Sequence, residues 1–234
     1  MDTMIEDGKF WRYRSLASYK ETNRQQLLTK KTYYAVMDRE TNYVIHINHM
    51  ASVAKSVLDD VLGYKIIRLT QKRLKTEPNF DLNPWFYSID SDGFLIRSTI
   101  LPEKDLVERF SLYNERLYGI AFIQANFIST VQPDNNIKLL IYQKKYEQAL
   151  KFLAGKTNYE ETYYVHAWAE LKAIDGKTAA NEIIFNHENY MYTIFLSENL
   201  RHKFVLRIKN ASSIEEIYEI TNEYEVERYI NAAV

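Results

Sequence analysis

Residues 63–75 read GYKIIRLTQKRLK. Five of the eleven residues from Lys65 to Lys75 are Lys or Arg, interleaved with Ile and Leu, and no acid follows until Glu77. Two secondary structures compete for this stretch. As a helix over residues 64–75, it sets Lys65, Arg68, Lys72 and Lys75 at i, i+3, i+7 and i+10, one continuous basic stripe, with Ile67 and Leu74 on one side. As a strand, KIIRLT is short and leaves QKRLK as loop. The charge stripe is as regular as the apolar one and favours the helix. The choice decides how the N-terminal region is built.

The neighbouring segments are easier to read. Residues 50–62, MASVAKSVLDDVL, carry Val53, Ala54, Val57, Leu58, Val61 and Leu62 at helical spacing, which predicts a core-facing helix. Gly63 stands where such a helix ends in a left-handed residue. Upstream, TYYAVMD and YVIHIN flank RETN, so residues 32–48 are expected to form a hairpin. Alternation in its second run puts Val44 and His46 on one face, Ile45 and Ile47 on the other. Residues 15–31 read as a polar helix capped by Ser15, with Leu16, Tyr19, Leu27 and Leu28 as an intermittent apolar stripe.

Downstream, EPNFDLNP (77–84) is punctuated by Pro and Asn and marks the candidate boundary. Residues 85–100 predict a second hairpin turning at Asp90–Gly93. Residues 102–119 open with a Pro suited to a first helical turn and place Leu106, Val107, Phe110, Tyr113 and Leu117 at helical spacing. Residues 137–153, 161–174 and 212–230 also read as helices, the last with Ser213 and Glu216 in capping-box spacing. YMYTIFL (190–196) and HKFVLRI (202–208) read as strands. The fold class is therefore α+β: a basic N-terminal hairpin/helix unit (1–76), then a hairpin and a mainly helical C-terminal part (85–234), or both in one continuous domain.

Composition excludes several functions. With no Cys there is no disulfide framework, thiolate metal site or Cys nucleophile. Only 6 Gly and 4 Pro occur among 234 residues, and neither GxGxxG nor GxxxxGK[ST] is present, which argues against dinucleotide and P-loop folds. No GxSxG or HExxH is found. His46-x-x-His49 lacks a convincing third ligand, and the calcium-like start at Asp90 and Asp92 meets Leu101 where a Glu is required. The chain is therefore expected to be no enzyme and to hold no cofactor or metal. No secretory leader or membrane span is expected, and the setting is cytoplasmic. Abundant Tyr and Asn with scarce Gly resembles the composition of proteins from AT-rich phage genomes, which would make that the host-cell cytoplasm.

Charge is divided unevenly. Residues 1–76 hold 14 Lys and Arg against 8 Asp and Glu, whereas the remaining 158 hold 16 against 23. The basic end suits a polyanion. Three clusters there mix cations with aromatics: KFWRYR, with Lys9, Trp11, Arg12, Tyr13 and Arg14; KKTYY, with Lys30 and Lys31; and the opening stretch, with Lys65, Arg68, Lys72, Arg73 and Lys75. Cations neutralise phosphates and release counterions, and aromatic rings stack on unpaired bases. These clusters point to RNA or a single-stranded nucleic acid as partner. A second reading is a protein-interaction factor, such as a phage inhibitor of a host enzyme, working through the acidic, Tyr-rich C-terminal part. That part also suits self-association into a homo-oligomer. A third is a metal-dependent nuclease whose carboxylates gather only in space.

Residues 33–75 resemble the small DNA-binding module that accompanies homing endonucleases. The resemblance rests on Asp38, Glu40, Thr41 and Asn42 at a turn, Val44 and Ile45 after it, Ala51 and Ala54 in the next helix, and Leu62-Gly63 at its end. It implies a helix-turn-helix-like pair in which residues 64–75 form the helix presented to nucleic acid. The Ser and Thr usual before that second helix are missing here. No nuclease motif accompanies the match, which covers less than a fifth of the chain.

Overall fold

The computed structural model describes residues 5–7, 10–12, 15–49, 64–131, 136–156 and 158–232. The helix expected over 50–62 lies outside the described residues. The fold is α+β, with strands in the N-terminal part and helices from residue 104 onward. Strands β1 (Ile5–Asp7) and β2 (Phe10–Arg12) pair antiparallel. Helix α1 (Leu16–Thr29) leads into β3 (Thr32–Asp38), β4 (Val44–Asn48) and β5 (Tyr64–Thr70), an antiparallel sheet ordered β4-β3-β5. A short 3-10 turn, Gln71–Arg73, follows β5, and a second, Pro84–Phe86, precedes the hairpin of β6 (Tyr87–Ile89) and β7 (Leu95–Arg97). Helices α2 (Lys104–Val131), α3 (Asn136–Leu153), α4 (Tyr159–Lys172), α5 (Gly176–Asn210) and α6 (Ile214–Ala232) complete the chain.

Local chemistry explains the early elements. The Ser15 hydroxyl accepts from the Ser18 N–H (3.2 Å), and the Ser18 hydroxyl accepts from the Ser15 N–H (3.1 Å), a capping box closed by two serines. Leu16, Tyr19, Asn23 and Leu27 are the buried stripe of α1. The β3–β4 turn closes at Asn42, whose φ of 61° is a conformation Asn tolerates better than most residues.

The three-stranded sheet divides two cores. Val36, Ile45 and, partly, Ile66 face α1 and α2. Ala35, Met37, Val44, Ile47, Ile67 and Leu69 face Tyr87, Ile89 and Leu95 of the hairpin. Covered on both sides, β4 is buried along its whole length. Its faces correct the simple alternation. Val36 pairs with His46 but Met37 pairs with Val44, so Ile45 is the extra residue of a β-bulge. The bulge turns Val44 to the same side as Ile47 and puts Ile45 with His46.

Residues 64–75 are not a helix; they form β5 and a 3-10 turn. All seven residues of β5 pair with β3, from Thr32 with Thr70 to Asp38 with Tyr64. The apolar residues suit both layers, since Tyr64 and Ile66 face the helices while Ile67 and Leu69 face the hairpin. In a helix the basic stripe itself opposes folding, because like charges at i+3 and i+4 cost about 0.2–0.5 kcal/mol per pair. The helix that the homing-endonuclease resemblance places at 64–75 is accordingly a strand.

Residues 77–84 are packed. Phe80 meets the Tyr33 ring edge-on (5.6 Å), Leu82 joins the same apolar cluster, and the Asn79 N–H donates to the Tyr87 hydroxyl (2.7 Å). Asp81 pairs with Arg24 of α1. One apolar cluster thus spans both sides of the expected boundary.

The helices join at α5. The runs 190–196 and 202–208, read above as strands, lie within this one helix, about 50 Å long at 1.5 Å per residue. Asp175 caps it, accepting from the N–H groups of Lys177 (2.9 Å) and Thr178 (3.0 Å), and no Gly or Pro interrupts residues 177–210. Its second half buries Leu200, Phe204, Val205 and Ile208 against α2 and α6; its first half buries Ala179, Ala180 and Ile183 against α3 and α4. In the 202–208 run, helical packing of Phe204, Val205 and Ile208 outweighs their β preference. Helix α2 continues past Gly119 to Val131 for a similar reason. A Cβ on Gly119 would stand 2.9 Å from Ile208 Cδ1 and 3.2 Å from Ile217 Cγ2, so Gly serves close approach there, not termination.

Candidate nucleic-acid interface

Strand β5 lies at one end of the sheet order, so among the described residues its outer edge has no neighbouring strand. Side chains alternate across a strand. Lys65, opposite Met37, therefore stands on the hairpin side of this edge, and Arg68, opposite Tyr34, on the helix side. Both are exposed. The 3-10 turn then adds Lys72 and Arg73, also exposed. The pairing of Thr32 with Thr70 brings the exposed Lys30 and Lys31 to this same end of the sheet. Of the four cations expected on one helical stripe, Lys65 and Arg68 thus flank a sheet edge on opposite faces, and Lys72 stands beyond its end beside Arg73; the fourth, Lys75, pairs with Asp90.

A cleft of about 810 Å³ opens along this edge, lined by Lys65, Arg68 and Arg73 together with Met37, Asn42 and Ile89. Gly93 (φ 81°) helps to shape it. A Cβ there would lie 3.6 Å from the Arg73 guanidinium, so Arg73 rests over the bare tip of the β6–β7 turn. That turn is held by Asp90, whose Oδ1 accepts from the N–H groups of Asp92 (3.0 Å) and Phe94 (2.9 Å). The DSDG segment is a hairpin turn.

Lys75 departs from the expected set. Its ammonium donates to Asp90 Oδ2 at 2.6 Å and lies 4.9 Å from the Phe94 ring centre. That hydrogen bond holds the Asp90 carboxyl below its ordinary range and Lys75 above its own. Lys75 is neutralised within the chain. Among the described residues, Lys30, Lys31, Lys65, Arg68, Lys72 and Arg73 form no such ion pair. Trp11 and Arg12 belong to β2, whose backbone pairs with Glu6 and Ile5 and runs beside α2. Their side chains, and Lys9, Tyr13 and Arg14 altogether, lie outside the described residues.

The two histidines occupy a buried polar network. The Nδ1–H of His46 donates to Asn114 Oδ1 (2.9 Å), and the Asn48 amide stands 3.5 Å from Nε2 and donates to the Tyr19 hydroxyl (2.9 Å). Tyr118 meets the His46 ring edge-on at 4.5 Å. Burial, with the charge of Lys20 adding to it, lowers the His46 pKa to about 4. His49 Nδ1 bonds Asn23 Oδ1 (2.6 Å) and is lowered to about 4 by burial and then by Lys30. Amides from α1, α2 and β4 hold both rings. Among the described residues, no three His, Asp or Glu gather as a metal site. Sequence reasoning missed Asn23 and Asn114. Their signal is a polar residue inside an apolar stripe, Asn23 between Tyr19 and Leu27 and Asn114 between Phe110 and Leu117.

No protein-family model, curated protein or solved structure matches this chain.

Proposed function

We propose that this chain is a non-enzymatic nucleic-acid-binding protein that holds the phosphate backbone of RNA or another single-stranded nucleic acid along the outer edge of β5. The setting is cytoplasmic, that of the host cell for a phage-encoded protein. One observation carries the reading: the exposed cations of the sheet edge and the turn after it hold no acid, whereas four cations along the second half of α5 and α6 are each matched by one. Arg201, Lys203, Arg207 and Arg228 each hold a glutamate, while Lys65, Arg68, Lys72 and Arg73 hold no acid among the described residues. Free cations in a row are what counterion release from a phosphate backbone requires. Lys65 and Arg68 stand three residues apart, about 10 Å at the rise of a strand, on the two faces of the edge, with Lys72 and Arg73 in the turn beyond.

The experiment is fluorescence anisotropy with labelled single- and double-stranded RNA and DNA, over a salt series, with and without divalent metal. Binding that weakens steeply with salt, without cleavage, supports the proposal. No binding at low salt refutes it, and cleavage in metal establishes the nuclease instead. A second reading, interaction with a host protein or a second copy of this chain, is favoured by Phe185, Tyr192 and Phe195. These are 62%, 58% and 60% exposed at one-face spacing along α5. Co-purification from host lysate, with the oligomeric state measured by light scattering, tests it.

A further inference from the structure

The distal lobe of α3, α4 and the first half of α5 has a core of small residues, Ala149, Ala179 and Ala180 beside Val165 and Ile183. Small core residues leave the large aromatics of these helices at the margin. There, Tyr142 and Lys145 of α3, Trp168 of α4, and His187 and Tyr190 of α5 line a cleft of about 310 Å³. That volume is at the lower end of ligand sites, about 300–1,000 Å³.

The cleft combines flat surfaces with one cation. The Tyr142 and Tyr190 ring centres are 6.1 Å apart. The Lys145 ammonium stands 5.2 Å from the Trp168 ring centre, 5.8 Å from that of Tyr164 and 6.0 Å from that of Tyr142. Among the described residues it has no carboxylate partner. Lys172, by contrast, shares Trp168 from 5.2 Å but is paired with Glu182. The Trp168 ring is held in place, since its Nε1–H donates to Glu182 Oε2 at 3.0 Å. His187 is fixed likewise, stacked on Tyr146 at 4.0 Å and 16°. Rings positioned before a ligand arrives lose little freedom when it binds. Asn186 lines the same cleft and is exposed, so its amide is available to a polar edge.

A ligand that uses all of this carries a flat ring and an adjoining negative charge, as one nucleotide of an unpaired strand does. We propose that this cleft stacks a single unpaired base against Trp168 and Tyr142, with Lys145 on the neighbouring phosphate. The inference rests on the nucleic-acid reading above and adds to it a second site, one that takes a base. Bases in a duplex are already stacked on one another and do not enter the cleft, whereas the cations at the β5 edge meet phosphates of either form.

The test is titration of the protein with a short oligouridylate and with duplex RNA of equal length. Tryptophan emission and anisotropy are read for wild type, Trp168→Phe, Tyr142→Leu, Tyr142→Phe and Lys145→Gln. Tyr142 is 45% exposed and outside the small-residue core, so its truncation leaves the lobe folded, which circular dichroism checks. The oligouridylate is expected to quench emission in wild type and not in Trp168→Phe. Tyr142→Leu and Lys145→Gln weaken it by about fivefold or more, Tyr142→Phe restores binding, and duplex affinity is unchanged throughout. Wild-type oligouridylate affinity in both Tyr142→Leu and Lys145→Gln overturns this inference and leaves the β5 edge standing. Failure of wild type to bind either RNA overturns both readings together.

Discussion

His46 makes a pH experiment decisive for the buried network. It is 3% exposed, its Nδ1–H is held by Asn114, and burial lowers its pKa from 6.5 to about 4. In the unfolded chain the ring takes up a proton as pH falls below about 6.5; in the folded chain it resists until about pH 4. Between those values the unfolded state binds one more proton than the native state. Stability is therefore complete above the unfolded value and declines as pH falls through the window. At 1.36 kcal/mol per unit, the total loss assignable to His46 is about 3 kcal/mol, a large share of a typical domain's stability. The assay is urea unfolding across this window for wild type and His46→Asn. An Asn amide retains a donor near Asn114 but does not titrate. The variant is expected to be less stable at neutral pH, for lost packing, and to show a shallower decline toward acid. A ring-proton titration followed by nuclear magnetic resonance gives the site directly, with its midpoint expected near pH 4. Identical slopes in the two proteins, or a midpoint near 6.5, would refute a neutral buried His46.

Other perturbations read separate parts of the molecule. Asn114→Leu strands the Nδ1–H of His46 and is expected to cost about 1–3 kcal/mol by chemical unfolding. Gly119→Ala forces a methyl into the junction of α2, α5 and α6, 2.9 Å from Ile208 Cδ1. A net loss of about 1–2 kcal/mol is expected, since overpacking outweighs the helix-propensity gain, and thermal melting checks it. Replacing Arg68, Lys72 and Arg73 together with Gln should lower the slope of log K against log salt by about 2 for a single strand, at roughly 0.7 per phosphate contact. Lys75→Gln should leave that slope almost unchanged, because Asp90 already neutralises this ammonium; equal effects of the two substitutions would contradict the division between free and paired cations.

Much of the fold is legible where one period dominates. Ser15 and the stripe of α1, the turn at Asn42, the DSDG hairpin and the start of α2 near Pro102 all follow from local chemistry. The misreadings share a cause. At 64–75 the regular spacing of charges competed with the needs of Ile66, Ile67 and Leu69, and charge regularity carries little energy beside two buried faces. At 202–208, β-prone residues sit in a helix because α2 and α6 supply a groove that is invisible from local sequence; the 190–196 run, with Tyr192 and Phe195 exposed, belongs to the same uninterrupted helix. The bulge at Ile45 reverses two faces with no marker in the residues themselves. The candidate site was legible as composition and not as geometry. Lys65, Arg68, Lys72 and Arg73 are exposed, but only the register with β3 shows that Lys65 and Arg68 straddle an edge with Lys72 and Arg73 beyond its end. The pairing of Lys75 with Asp90 joins two elements and could not be read from either.

Cations on an outer strand have a simpler explanation than nucleic acid, since charged side chains keep sheet edges from pairing with other chains. That explanation accounts for Lys65 and Arg68, which stand on the strand itself. It does not account for Lys72 and Arg73 in the following turn, nor for Lys30 and Lys31 before β3, where there is no edge of β5 to protect. These four gather at the one end where β5 finishes and β3 begins, and none is matched by an acid among the described residues. The two roles separate cleanly under substitution. If edge protection is the whole function, Lys65→Gln with Arg68→Gln promotes self-association while Lys72→Gln with Lys31→Gln changes nothing measurable. If phosphate is the target, both pairs weaken strand binding to a similar degree, and the second pair does so with no change in oligomeric state. Light scattering beside the anisotropy titration distinguishes the two, and strand affinity unmoved by the second pair would reduce the basic row to a guard on the sheet.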